Sequence, residues 1–408
     1  MALLYASRSS RKATSCLIVR PVERAAHLEF VQAAERGGGA GSGAVSFLQC
    51  PSWAAVKSGW GSESLGWYRG TQLVGTATVL YRRLPRIRRC LAYLPEGPVI
   101  DWFGERTGIG IEDWLAPILQ YLRGRGAFTV KMGPKVVGRT WSAATLKRAM
   151  AAGTCRRLGE VPADRVEARA DELSERLRAL GWRRTGVGGG NGGGASSKSS
   201  GGFSDFQPRY LFRLPLRGRD EEQLGAGLNQ QWRRNIRLAQ RAGVQVECGG
   251  AGGLAEFHRL YLQTAARDGF TPRPAEYFQR MFEAFDEEDP ERIRLYVARL
   301  DGKALAAATM VRVGSYAWYS YGASADEQRD ARASNALQWH MIRDCVADGM
   351  DVYDLRGISD TLDPEHHLYG LLRFKVGLGG EAVEYLGEWD YPVSPLLHRA
   401  FQFYLARR

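Results

Sequence analysis

The chain of 408 residues reads as mixed α/β, an α+β arrangement of two similar domains in tandem. Three observations predict this. The length exceeds what one hydrophobic core normally serves. One supersecondary pattern occurs twice: a hairpin, a third strand, a helix and a fourth strand. Between the two occurrences lies GVGGGNGGGASSKSSGG, Gly186 to Gly202, a tract too poor in apolar side chains to build a core and read as a flexible linker.

In the first half, SLGWYR and LVGTATVLY are strands joined through Gly70-Thr71-Gln72. A third strand follows near CLAYL. The amphipathic segment IEDWLAPILQYLRGRG is a helix leading to the strand FTVKM. In the second half, IRLYVARL and ALAAATMVRV pair across Asp301-Gly302, a strong hairpin signal. YAWYSYG is the third strand. The helix NALQWHMIRDCVADG has Leu337, Met341 and Cys345 on one face and a stop at Gly349, and VYDL closes the pattern.

Leu173, Leu177 and Leu180 mark a helix before the glycine-rich tract, ending near Gly181. Leu254, Phe257, Leu260 and Tyr261 mark another. Pro274 opens the next, with Tyr277, Met281, Phe282 and Phe285 along it. The domains are expected at 13–160 and 161–390, with the linker at 186–202 inside the second and an amphipathic C-terminal helix at 391–408.

A formal charge of +12 favours polyanionic partners such as nucleic acid, phospholipid surfaces or phosphorylated ligands. No apolar run reaches the roughly 18 residues that span a bilayer. The basic N-terminus lacks the apolar core of a secretory signal, so a cytoplasmic protein is expected. Six widely spaced cysteines with no CxxC pair read as buried thiols rather than a zinc site or disulfide framework.

Several residues carry candidate chemistry. Lys375 follows Phe374 at the edge of the glycine-rich segment RFKVGLGG, where it can project into a cleft. A fixed cation there lowers the barrier to any step that develops charge on a carbonyl oxygen. Tyr319 and Tyr321 alternate with Ser320 and so share one face of their strand. Arg273 and Tyr277, four apart, can hold an anion between guanidinium and phenol. Lys57 lies between Trp53 and Trp60. In QWRRNIRLAQRAGV, Arg233, Arg234 and Arg237 interleave with Trp232, Ile236 and Ala239, a basic helical face able to follow RNA phosphates. Asp354 and Arg356, at a strand end, read as an ion pair that shapes the following loop.

The repeated element order matches the core of the GCN5-related N-acetyltransferase fold. From Tyr316 to Glu388, the succession YAWYSYGAS, amphipathic helix, VYDLRG and RFKVGLGG, closed by GEW, resembles the second domain of the Fem family. Those are aminoacyl-tRNA-dependent peptidyltransferases that build peptidoglycan cross-bridges. The chain is similar to actinobacterial members that place one glycine on the diaminopimelate amine of lipid II. The resemblance implies a donor aminoacyl-tRNA, glycyl-tRNA by preference, and an acceptor amine on lipid II or its nucleotide-linked form. It implies peripheral contact with the inner membrane face, and no metal or organic cofactor, because the ester is already activated. It assigns Lys375 to the reacting carbonyl. Lys57, Arg273, Tyr277, Tyr319, Tyr321 and Phe374 go to the substrates; for such a donor, the basic helical face of Arg233, Arg234 and Arg237 is the tRNA candidate. In the family the C-terminal helix packs back on the first domain.

Two departures stand out. Where the acetyltransferase fold cradles a pyrophosphate on R/QxxGxG/A, this chain has RDARAS, with Arg332 and Ser334 at the glycine positions. Bulky side chains there oppose coenzyme A. Where many Fem proteins have Lys-x-Asp-Pro, this chain has Lys131-Met132-Gly133-Pro134. A soluble peptide acceptor, an acyl-coenzyme A substrate and a non-catalytic binding role stay open as alternatives.

Overall fold

The computed structural model describes residues 17–36, 45–185 and 207–406. The linker at 186–202 therefore lies outside the described residues. The first sheet runs β1-β2-β3-β4-β5-β16-β8, comprising β1 (Leu17–Pro21), β2 (Gly61–Arg69), β3 (Gln72–Arg83), β4 (Cys90–Leu94), β5 (Ala127–Met132), β8 (Arg183–Arg184) and β16 (Trp389–Tyr391). The second runs β10-β11-β12-β13-β14-β9-β15-β6-β7. Its strands are β6 (Val137–Ser142), β7 (Arg165–Val166), β9 (Tyr210–Pro215), β10 (Gln245–Gly249), β11 (Ile293–Leu300), β12 (Lys303–Val313), β13 (Tyr316–Ser324), β14 (Val352–Gly357) and β15 (Glu381–Tyr385).

The duplication is visible in pairing. β2-β3-β4-β5 and β11-β12-β13-β14 have the same order, and in each set only the last pair is parallel. That pair needs a crossover, supplied by α3 (Ile111–Gly124) in the first set and α10 (Ala333–Ala347) in the second. Asp301 and Gly302, with φ of 51° and 76°, form the two-residue turn that closes β11 on β12 at Leu300–Lys303. β12 is apolar along nearly its whole length because α8 (Leu254–Asp268) and α10 pack against it.

The remaining helices are α1 (Arg24–Arg36), α2 (Pro51–Val56), α4 (Ala143–Ala152), α5 (Ala168–Ala179), α6 (Glu221–Gly227), α7 (Gln230–Ala242), α9 (Ala275–Glu288), α11 (Tyr369–Val376) and α12 (Pro395–Ala406). The sheets do not divide at residue 160. β6 and β7 join the second sheet, while α5, β8 and β16 return to the core of the first. Leu173 and Leu177 are buried there, but Leu180 is exposed beyond the helix end. The chain thus crosses between the two lobes several times, and α2 packs directly on α9. α12 rests on β5, where His398 Nδ1 lies 3.1 Å from Thr129 Oγ1 and Phe401 packs edge-on to Phe128. Not every cysteine is buried: Cys155 is partly exposed and Cys248 exposed.

Candidate active site

Four of the expected substrate residues converge where α2, α9 and β13 meet. Lys57 caps the C-terminus of α2, a short helix opened by Pro51. Its Nζ stands 4.4 Å from the centre of the Trp53 ring and 5.5 Å from that of Tyr277. Arg273, just before the Pro274 cap of α9, places its guanidinium 5.4 Å over the same Tyr277 ring. The Tyr277 and Tyr321 hydroxyls are 3.0 Å apart. Burial, reinforced by the Arg273 charge, lowers the Lys57 ammonium to about 8. Burial, with Tyr321 adjacent, pushes the Tyr277 phenol well up, keeping it a neutral donor. Two cations and two phenols therefore converge on one spot, a set suited to a phosphate-bearing, hydroxyl-rich ligand.

Tyr319 is not part of this group. A β-bulge between Thr309 and Met310 inserts Ser320 into the ladder, so that Thr309 faces Tyr321 and Met310 faces Tyr319. The extra residue cancels the alternation that would have put both tyrosines on one side. Tyr321 packs against Tyr261, Tyr277 and Phe278 from α8 and α9. Tyr319 turns toward Gln338 of α10, and its hydroxyl occupies the space a Cβ on Gly322 would need.

Phe374 and Lys375 form a second group. Lys375 lies on α11 and is 4% exposed, buried rather than projecting from the glycine-rich edge. Its Nζ donates to the carbonyls of Leu355 (2.8 Å) and Gly357 (2.7 Å). Those carbonyls flank Arg356, whose φ of 62° is left-handed. Burial lowers the Lys375 ammonium to about 7, opposed by the nearby Asp354. A protonated lysine has three donors, so two carbonyls leave one for a third acceptor.

The expected Asp354–Arg356 ion pair is replaced by a wider network. Asp354 accepts from the Arg356 backbone N–H (2.6 Å) and the Tyr316 hydroxyl (2.9 Å). The Arg356 guanidinium instead pairs with Glu96 (3.0 Å) and Gln207 (2.8 Å). Glu96, on the first lobe, also accepts from Ser46 (2.6 Å). The Arg356 guanidinium lies 5.7 Å over Phe47, and Phe47 packs edge-on to Trp53 beneath Lys57. This chain of contacts links the two groups. At Gly133, where the family pattern has aspartate, an added Cβ would meet Glu388 Cγ at 3.5 Å and the Glu96 nitrogen at 3.6 Å. Two glutamates from elsewhere in the chain therefore bound that space. The sequence carries no signal for Glu96, because it lies in a loop more than 250 residues from its partner.

Phe374 borders a cavity of about 520 Å³ at the end of β13. Its walls include Arg267, Arg329, Arg332, Ser334 and Asn335. Arg332 is left-handed at φ 55° and opens α10 without any side-chain cap. α7 borders the same region: Asn235 donates to Asn335 (3.2 Å), and Trp232 both donates to the Phe374 carbonyl (2.8 Å) and packs on its ring at 4.6 Å. Trp232, Ile236 and Ala239 are buried, whereas Arg233, Arg234 and Arg237 are exposed. Arg233 is partly engaged, donating to the carbonyls of Ala226 and Leu228.

Comparison with known proteins adds to this geometry. The model of the FemAB family matches residues 41–305 and 300–405. A lipid II:glycine glycyltransferase of Staphylococcus saprophyticus is 24% identical, over 92% of this chain and 93% of that protein. One from Staphylococcus aureus is 22% identical, over 87% and 90%. The crystal structure of FemX superposes with a TM-score of 0.72 at 20% identity, covering 94% of this chain and 99% of that one.

Proposed function

The chain belongs to the FemAB family, and on that premise we propose that it transfers glycine from glycyl-tRNA to the side-chain amine of a peptidoglycan stem peptide carried on lipid II. The observation that carries this reading is the convergence of Lys57, Arg273, Tyr277 and Tyr321 on one spot between the lobes. Two cations suit a diphosphate, and two phenols suit sugar hydroxyls. The donor side is supported by the arginine-lined cavity beside Phe374 and by the basic face of α7 anchored to it through Trp232. Arg332 and Ser334 replace the glycines that would let a coenzyme A pyrophosphate reach backbone N–H groups. Guanidinium groups at the same place suit the phosphates of a tRNA acceptor end.

In this reaction the acceptor amine attacks the aminoacyl ester carbonyl. The new C–N bond forms as the C–O bond to the tRNA ribose breaks. The ribose oxygen leaves with the proton that the amine gives up. Lys375 contributes its third N–H to the oxygen that becomes negative, while Leu355 and Gly357 hold the other two. Nothing in these steps asks for a metal or an organic cofactor. No helix among the described residues is long and apolar enough to cross a membrane. In this reading a lipid-linked acceptor is met by peripheral contact with the inner membrane face.

The test is to mix the protein with glycyl-tRNA and a lipid II analogue bearing a diaminopimelate pentapeptide, and to follow product mass. A one-glycine gain that ribonuclease abolishes is expected. No gain while the tRNA stays charged would overturn the assignment. The same assay with the nucleotide-linked precursor or with soluble peptides identifies a different acceptor.

A further inference from the structure

The hairpin joining β3 to β4 carries five arginines in eight residues: Arg82, Arg83, Arg86, Arg88 and Arg89. All five are exposed. Among the described residues, none has a carboxylate within ion-pairing distance, whereas other surface arginines such as Arg176 and Arg217 do. So dense a run of like charge gains nothing for the fold, and the partner it complements is a polyanion. The tip is well formed, since Leu84 N–H donates to Arg89 O (2.9 Å) and Arg89 N–H to Ile87 O (2.8 Å). Between them the apex presents Pro85 and Ile87, the latter 46% exposed.

The hairpin also adjoins the acceptor group. Arg82 donates to Gly59 O (3.2 Å) and lies 5.7 Å over the Trp60 ring. Tyr81 pairs across the ladder with Gly61, only four residues beyond Lys57. The cavity beside Phe374 belongs to the other lobe. Single-stranded RNA would call for aromatic side chains on which bases stack, and the apex has none. A bilayer surface presents anionic phosphates above an apolar layer, which matches arginines surrounding an exposed isoleucine.

We propose that the β3–β4 hairpin docks this protein on anionic phospholipid, its arginines on the headgroup phosphates and Ile87 in the boundary beneath, so that the Lys57 side of the cleft faces a membrane-borne acceptor. The inference rests on the reading of the acceptor as lipid-linked.

Co-sedimentation with phosphatidylcholine vesicles containing about one quarter phosphatidylglycerol tests it, with pure phosphatidylcholine as reference. Wild-type protein is expected to bind the anionic vesicles and release with salt. R83Q/R88Q/R89Q is expected to bind them about 100-fold more weakly, at roughly a fivefold loss per arginine. Arg86 is kept because its φ of 67° shapes the tip. I87D, with every arginine in place, is expected to weaken binding several-fold, and an unchanged thermal midpoint for both variants excludes misfolding. Glycine transfer to a water-soluble precursor should be unaffected by R83Q/R88Q/R89Q, while transfer to lipid II in vesicles falls. Vesicle binding that is absent in wild type, or equal in wild type and the triple variant, overturns the proposal. So does a triple variant that loses tRNA affinity and keeps vesicle affinity, which would make the hairpin an RNA-binding element. Vesicle binding is read without turnover, so failure of the glycyl-transfer reading would appear separately, as no transfer to any acceptor.

Discussion

Glu96 of the first lobe and Arg356 of the second form an ion pair at 3.0 Å, their side chains only 11% and 18% exposed. Arg356 sits between the two carbonyls that hold Lys375. Although burial works against its charge, the Arg356 guanidinium and Lys135 hold the Glu96 carboxyl below its usual range. The first lobe thus reaches the candidate catalytic lysine through one side chain. Glu96 is a positioning residue in this scheme: it fixes the loop that fixes Lys375.

E96Q takes from a buried guanidinium the carboxylate it pairs with, leaving Asp354 as a nearby negative charge. Breaking such a pair costs roughly 3 kcal/mol, to be read from chemical denaturation. Adding R356Q should recover part of that loss, and a double-mutant cycle measures the coupling. Additive losses would mean that the pair contributes nothing of its own.

The Lys375 ammonium, lowered to about 7 by burial, gives a pH signature. Its protonated form carries the third donor, so that contribution is full below pH 7 and lost as pH rises through it. The ratio of wild-type to K375M turnover removes the ionisation of the acceptor amine from the comparison. That ratio should fall as pH climbs past 7. A ratio that climbs instead would make the neutral amine the active form, a base rather than an oxyanion donor.

Lys57, lowered to about 8 by burial and by Arg273, should act on acceptor binding. The KM for a diphosphate-bearing acceptor is expected to rise as pH passes upward through 8, with little change in kcat. K57M should start at the higher KM and show no such rise. Equal pH profiles for the two proteins would remove Lys57 from the acceptor site.

The exposed pair Arg234 and Arg237 provides the cleaner test of the basic helix, because Arg233 also supports the turn into α7. R234E/R237E should weaken tRNA binding and reduce its salt slope by about one for each phosphate that is no longer neutralised. Fluorescence titration of labelled tRNA at several salt concentrations measures both. Unchanged affinity and slope would return this face to solvent.

Much of the fold is legible in the chain because it is local. The Asp301-Gly302 turn and the β13–α10–β14 succession depend on neighbours a few residues away, and their sequence patterns carry them. Arg273 and Tyr277 are legible for the same reason. Tyr319 is misplaced by its alternating pattern, because a bulge is set by the partner strand and leaves no mark in that pattern. The lobe boundary is hidden because β6 joins the second sheet by long-range pairing with β15 and carries β7 with it. The Glu96–Arg356 pair is hidden by the same cause. Periodicity identifies faces, and partners across a sheet or between lobes are fixed only by the assembled fold.

The most direct test of the site is a single-turnover measurement with saturating glycyl-tRNA and acceptor, comparing wild type with K375M by rapid quench. A loss of about 100-fold or more in the transfer rate is predicted, the size typical of removing one oxyanion donor, with tRNA affinity unchanged and a cooperative thermal transition retained, its midpoint lowered by the two carbonyls left unpaired. Transfer by K375M at the wild-type rate would contradict the assignment of Lys375 and, with it, the chemistry proposed for this cleft.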